Sequence, residues 1–141
     1  VTTKITLCGS GKMRTEITTA ATELRNHGFI VLAPPLHKLD TLFRGQPEES
    51  WSLAWKGATF AHLNRIAKAD VVFIVNPDGY MGPSTTLELG YAVAMEKYIV
   101  GMQPDNAEMA RTILLDHIIG TDNVVAACKE LADEMAAGHS R

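Results

Sequence analysis

The sequence predicts an α/β domain built on a doubly wound parallel sheet of flavodoxin-like (Rossmann-like) order. Short apolar runs alternate with segments of helical period four times along the chain, the pattern of successive βα units. The run Val71-Val72-Phe73-Ile74-Val75 is unbroken and β-branched or aromatic, as in a strand covered on both faces. With 141 residues, 46% of them hydrophobic, the chain is expected to fold as one domain over 1–141 around a full core.

Taken in order, Ile5, Leu7 and Cys8 form a strand that stops abruptly at Gly9-Ser10-Gly11. Met13, Ile17, Ala21 and Leu24 recur at helical spacing until His27-Gly28 supplies a stop signal. Phe29 to Leu32 is a second strand, closed by Pro34-Pro35, and Pro34 to Ser50 shows no period. A loop of that length in a compact domain is usually functional or mobile. A helix is predicted from Ser50 to about Lys68, with Trp55, Ala58, His62, Ile66 and Ala69 on one stripe. The third strand, 71–75, runs into the turn residues Asn76-Pro77-Asp78-Gly79. A helix from about Thr85 to Glu96, a strand at Tyr98 to Met102 and a short helical stretch near Asn106 to Asp116 follow. Val124, Cys128, Leu131 and Met135 share a face of the last helix. Right-handed crossovers then give a strand order 2-1-3-4, extended by a fifth strand if one forms.

In such a sheet, ligands bind beyond the carboxyl ends of the strands, where the strand order reverses. Two unusual loops leave from that point, Gly9 to Arg14 and Asn76 to Thr86. Gly9-Ser10-Gly11-Lys12 is not a P-loop, because Thr6 stands where the first Gly belongs and Met13 where Ser or Thr belongs. A Gly-rich turn entering a helix, with Lys12 and Arg14 beside it, fits a phosphate or ribose seat. The plainer reading is a tight turn with solvated basic residues.

Glu88 reads in two ways. At the start of a helix aimed at the crevice, its carboxylate is favoured by the dipole and suits a nucleophile. Thr85-x-x-Glu88 is also a capping box, in which the carboxylate folds back on the Thr85 amide.

The segment Asn76 to Ala92, followed by Lys97-Tyr98-Ile99-Val100, resembles the signature of the nucleoside 2-deoxyribosyltransferase family. It is similar also to the related N-glycosidases that hydrolyse deoxynucleoside or cytidine monophosphates. In that family the Glu of an E-[LI]-G-[YW]-A segment attacks C1′ of the sugar, and Glu88-Leu89-Gly90-Tyr91-Ala92 matches it position for position. The loop Cys8-Gly9-Ser10 lies where the family has its first-strand loop, and the resemblance runs from Ile5 to about Met102. It implies a flavodoxin-like fold, a nucleoside or nucleotide substrate, and homodimers or higher homo-oligomers with sites near subunit contacts. Where family members commonly carry Asp, eight positions before Asp70, this chain has His62, as do bacterial relatives of undefined activity. His62 is either a core histidine of the Trp55 stripe or a group that orients a sugar hydroxyl or moves a proton.

The catalytic candidates are therefore Glu88, Asp78 as the acid that protonates the leaving base, His62, and Tyr80 to steady Glu88 or stack on the base. Cys8, Gly9, Ser10, Gly11, Lys12 and Arg14 are the substrate-binding candidates of the first loop, and Gly82 and Ser84 those of the second. A Ser near position 84 contacts the 5′-phosphate in phosphate-preferring relatives; its other reading is helix capping. Asp78-Gly79 has turn formation as its plainer role. His37, Phe43, Trp51 and Trp55 offer aromatic faces to a nucleobase, or pack in the core.

The formal charge of −3 and the lack of any basic excess argue against nucleic-acid polymers as partners. No apolar run reaches the ~20 residues of a membrane span. The first residues, Val1-Thr2-Thr3-Lys4, carry no h-region, and two cysteines form no disulfide framework, so a cytoplasmic location is expected. His27, His117 and His139 have no partners at ligand spacing, and neither a metal nor another cofactor is expected. The rival reading is a non-catalytic nucleotide-binding sensor on the same fold.

Overall fold

The computed structural model describes residues 2–34 and 43–138. Strands β1 (Lys4–Cys8), β2 (Ile30–Leu32), β3 (Val71–Ile74), β4 (Tyr98–Gly101) and β5 (His117–Ile118) form one parallel sheet in the order β2-β1-β3-β4-β5. That is the predicted flavodoxin-like order with its fifth strand. A single 3₁₀ turn, Gly11–Met13, leads into α1 (Arg14–Asn26); α2 (Glu48–Lys68), α3 (Pro83–Ala94), α4 (Met109–Ile113) and α5 (Val124–Ala136) follow. Among the described residues, no helix is long and apolar enough to cross a membrane.

Alternation along the central strands divides the core into two layers. Ile5, Leu7, Val71, Phe73 and Val100 pack with Ile17 and Leu24 of α1 and with Cys128 and Leu131 of α5. On the other face Cys8, Val72, Ile74 and Ile99 meet Ile66 of α2 and Leu89 and Ala92 of α3. Cys8 therefore points into the α2–α3 layer, the side on which the site is built.

Three boundaries differ from expectation. α2 starts at Glu48, two residues before Ser50, with no side-chain cap. α4 is confined to 109–113 because Asp105 Oδ2 accepts the Ala107 and Glu108 amides, at 3.0 and 2.7 Å, and holds the chain in a turn before the helix. The third difference changes the reading of Glu88. α3 begins at Pro83 with Gly82 as its N-cap, and proline is well suited to the first helical position. Thr85 is thus a buried residue inside the helix, and the Thr85–Glu88 capping box does not form. Glu88 stands in the second turn, past the reach of most of the dipole effect, with a carboxylate that has no backbone to serve.

Two side chains lock this frame. Asn76, fully buried after β3, accepts the Met102 amide at 2.9 Å and donates to the Gln103 carbonyl at 2.9 Å, tying the carboxyl ends of β3 and β4 together. Lys97 donates to the carbonyls of Ala67 and Ala69 at 2.8 and 2.9 Å, satisfying orphan acceptors at the end of α2.

Candidate active site

A cavity of about 590 Å³ opens beyond the carboxyl ends of the strands, within the size range of small-molecule sites. The loop after β1 contributes Gly9, Ser10 and Gly11; α1 contributes Arg14 and Ile17; α2 contributes Trp55, Ala58, Thr59, His62 and Leu63; α3 contributes Ser84, Leu87, Glu88 and Tyr91. Gly9 cannot carry a side chain without strain: a Cβ there would stand 3.0 Å from the Val75 carbonyl oxygen and 3.1 Å from Ile17 Cδ1. Its bare backbone lets β1 turn into the cavity rim against β3.

Glu88 and His62 lie together in the cavity. Glu88 Oε2 is 3.3 Å from His62 Nε2, and the two side chains are only 17% and 9% exposed. Oε2 has no aligned hydrogen bond although it is buried, so its charge is held in place by packing and by the neighbouring imidazole. Cys8 Sγ approaches the same Nε2 at 3.3 Å from beneath. Burial pushes the Cys8 thiol well up, and the charge of Glu88 and a hydrogen bond to its carboxylate push it further. Cys8 is thus a protonated donor under the site, not a nucleophile. On the far edge of the ring, Arg65 Nη1 stands 3.5 Å from His62 Nδ1.

The other candidates divide. Arg14 and Ser84 line the cavity; Ser84 lies inside α3 and is not its cap. Ser10 lines it too, but its side chain accepts the Lys12 amide and its carbonyl accepts the Met13 amide. Two of the amides expected to cradle a phosphate are therefore already engaged. Lys12 turns away, its Nζ 4.4 Å from the centroid of the Tyr80 ring, a cation–π contact. Tyr80 in turn packs by its hydroxyl over Gly82, where a Cβ would be 3.3 Å away. Asp78 is exposed and absent from the cavity lining, and its Oδ1 accepts the Tyr80 amide at 3.0 Å. Its position is that of a turn-forming aspartate, and the acid role expected of it lacks geometric support.

Trp55, for which the sequence left base stacking and core packing open, is 52% exposed and lines the cavity. Trp51 donates to the Phe43 carbonyl at 2.8 Å, fixing the chain where it enters α2. His37 and His139 lie outside the described residues, and His27 and His117 are not in the cavity lining. The sequence reading missed Thr59, Leu63, Leu87 and Tyr91 as lining residues. The signal was present in the three- and four-residue spacing from Trp55 to Leu63, taken there for a core stripe.

Fold and cavity together define a flavodoxin-like α/β domain with a ligand crevice at the reversal of its strand order. The chain belongs to the nucleoside 2-deoxyribosyltransferase family, whose model matches residues 7–136. Its structure is similar to that of a 2-deoxyribosyltransferase from Bacillus psychrosaccharolyticus, with a TM-score of 0.63, 21% identity, and coverage of 86% of this chain and 90% of that one. It is similar also to a CMP N-glycosidase from Clostridium botulinum, with a TM-score of 0.51, 18% identity, and coverage of 92% and 98%. At these identities the likeness is one of fold. A search of curated proteins found no match.

Proposed function

We propose that the protein cleaves or exchanges the N-glycosidic bond of a (deoxy)nucleoside or its 5′-monophosphate through a covalent glycosyl ester on Glu88. The observation that carries this reading is the Glu88 carboxylate itself: buried in a nucleoside-sized cavity, free of any capping duty, and faced by an imidazole 3.3 Å away. In the first step a Glu88 oxygen bonds to C1′ as the glycosidic bond breaks, and the bonding pair leaves with the base nitrogen, which takes up a proton. In the second, water or an acceptor base attacks C1′, the ester breaks, and the carboxylate is restored with overall retention.

His62 lines the cavity 3.3 Å from Glu88 whereas Asp78 does not line it, so His62 replaces Asp78 as the proton carrier in this scheme. His62→Asn is expected to lower kcat by about 10²–10⁴-fold with KM little changed. An unchanged kcat would make His62 a packing residue. Trp55, Ala58, Leu63, Leu87 and Tyr91 offer the apolar wall for the base, and Arg14 with Ser84 the polar contacts for sugar or phosphate.

The direct test is a panel of nucleosides and 5′-monophosphates, read by chromatography for free base. Arg14→Ala should lower kcat/KM for monophosphates by roughly 10–150-fold, the worth of a charge-assisted hydrogen bond of about 1.5–3 kcal/mol, and leave nucleosides nearly unaffected. Lys12→Ala should matter little to either. Equal losses on both substrate types would remove Arg14 from the phosphate role. A stable nucleotide complex with no base released from any member would favour the sensor reading.

Assembly as a homo-oligomer is part of the same proposal. Leu53 and Phe60 share one face of α2 at 70% and 62% exposure, and Leu87 on neighbouring α3 is 74% exposed while also lining the cavity. An apolar face of this kind, next to the site, suits a second copy of the chain.

A further inference from the structure

Cys8, His62 and Glu88 form a three-donor cluster in which the glycosidic scheme gives Cys8 no part. Their donor atoms all lie within 4.8 Å of one another, and both the Sγ–Nε2 and Nε2–Oε2 separations are 3.3 Å. Tetrahedral zinc, with bonds of about 2.0–2.3 Å to carboxylate, imidazole and thiolate, sets neighbouring donors about 3.3–3.6 Å apart. One sulfur, one nitrogen and one oxygen make a borderline-soft set that suits Zn²⁺ better than the oxygen-seeking Mg²⁺ or Ca²⁺. Glu88 Oε2 is a buried oxygen that His62 Nε2 approaches at 3.3 Å without completing a hydrogen bond, a shortfall that a cation between the two would relieve. Cys8 and His62 are 54 residues apart in the chain, so no ligand spacing in the sequence announces the set.

We propose that Cys8, His62 and Glu88 bind a zinc ion whose fourth position faces the cavity, and that the bound ion withholds the Glu88 carboxylate from the sugar. The second half rests on the nucleophile reading of Glu88; the first half does not. Zinc binding releases the Cys8 thiol proton to solvent and uses the Nε2 lone pair, leaving the ring proton on Nδ1. Arg65 Nη1, 3.5 Å from that Nδ1, is a donor and opposes this tautomer. It therefore weakens the site and keeps binding reversible. Cys128 does not compete, because it packs in the other core layer.

Cobalt(II) titration of the intact protein, with Zn²⁺ as competitor, tests the site without reference to turnover. One equivalent of cobalt should give a thiolate-to-metal charge-transfer band in the near ultraviolet and tetrahedral bands in the visible, all displaced by zinc. Glu88→Gln, conservative in shape, should weaken zinc binding by at least about 100-fold, since even outer-shell changes cost 10–100-fold. Cys8→Ser, with folding checked by circular dichroism, should erase the charge-transfer band. Arg65→Ala should tighten binding. No stoichiometric cobalt binding, or binding at full strength in Glu88→Gln, would overturn the site. Zinc should also suppress base release along the same curve as its occupancy, and full activity at a saturated site would overturn the inhibitory half. Zinc binding in a protein that releases no base from any substrate would overturn the glycosidase reading, with the metal site supported by the cobalt spectrum alone.

Discussion

Glu88→Gln is expected to abolish base release while leaving the protein folded. An amide keeps the shape of the side chain but lacks the charge that the proposed attack on C1′ requires. Removing a covalent nucleophile typically costs several orders of magnitude, about 10⁴ or more in kcat. The structural cost is small because the carboxylate caps no helix: α3 is started by Gly82 and Pro83, and the amide of Gln keeps an oxygen to face Cys8 and His62. The thermal midpoint should therefore stay close to that of the unsubstituted protein. Melting curves and the nucleoside panel, run on the same preparation, check both halves. Full activity in folded Glu88→Gln protein would remove Glu88 from the chemistry.

An all-or-none result is expected from trapping the intermediate. Fluorine at C2′ withdraws electrons from the developing oxocarbenium ion and slows both steps, yet a good leaving base still permits the first. A 2′-fluoro-arabinosyl nucleoside, with and without its 5′-phosphate, should therefore add one sugar mass to the intact protein. Peptide mapping should place the mass on the segment containing Glu88, and Glu88→Ala should abolish it. Decay of the adduct that quickens with added free base identifies a transferase; decay indifferent to base identifies a hydrolase. A sensor would bind the analogue reversibly and leave its glycosidic bond intact. No adduct and no free base across the panel would displace the covalent mechanism.

Local patterning made most of the fold legible. The all-apolar 71–75 run is what a doubly covered strand must be, and β3 is buried at every position. The right-handed crossover rule then leaves few orders for five parallel strands, and the observed one is the simplest. Glu88 came from its motif, not from its spacing. Spacing alone left it equally a cap, because Gly82-Pro83 and Thr85-x-x-Glu88 are both valid helix starts. Only the packing of Thr85 inside α3 decides between them.

What the sequence determined by itself is everything that depends on neighbours in the chain: strand runs, helical stripes, the stop at Gly28, and the two loops that leave from the reversal of strand order. Which side chains those loops and helices finally present was decided by the tertiary structure. Asp78 and Lys12 have local partners, the Tyr80 amide and the Tyr80 ring, and so sit outside the site that their sequence position suggested. Trp55 looked like core because helical period reports which residues share a face, not whether that face meets a sheet or a cavity. Cys8, His62 and Glu88 come from a strand and two helices distant in the chain, and they converge because strand alternation turns Cys8 toward the layer that α2 and α3 build. Period is a one-dimensional property, whereas the meeting of three elements on one sheet face is set by crossover and packing.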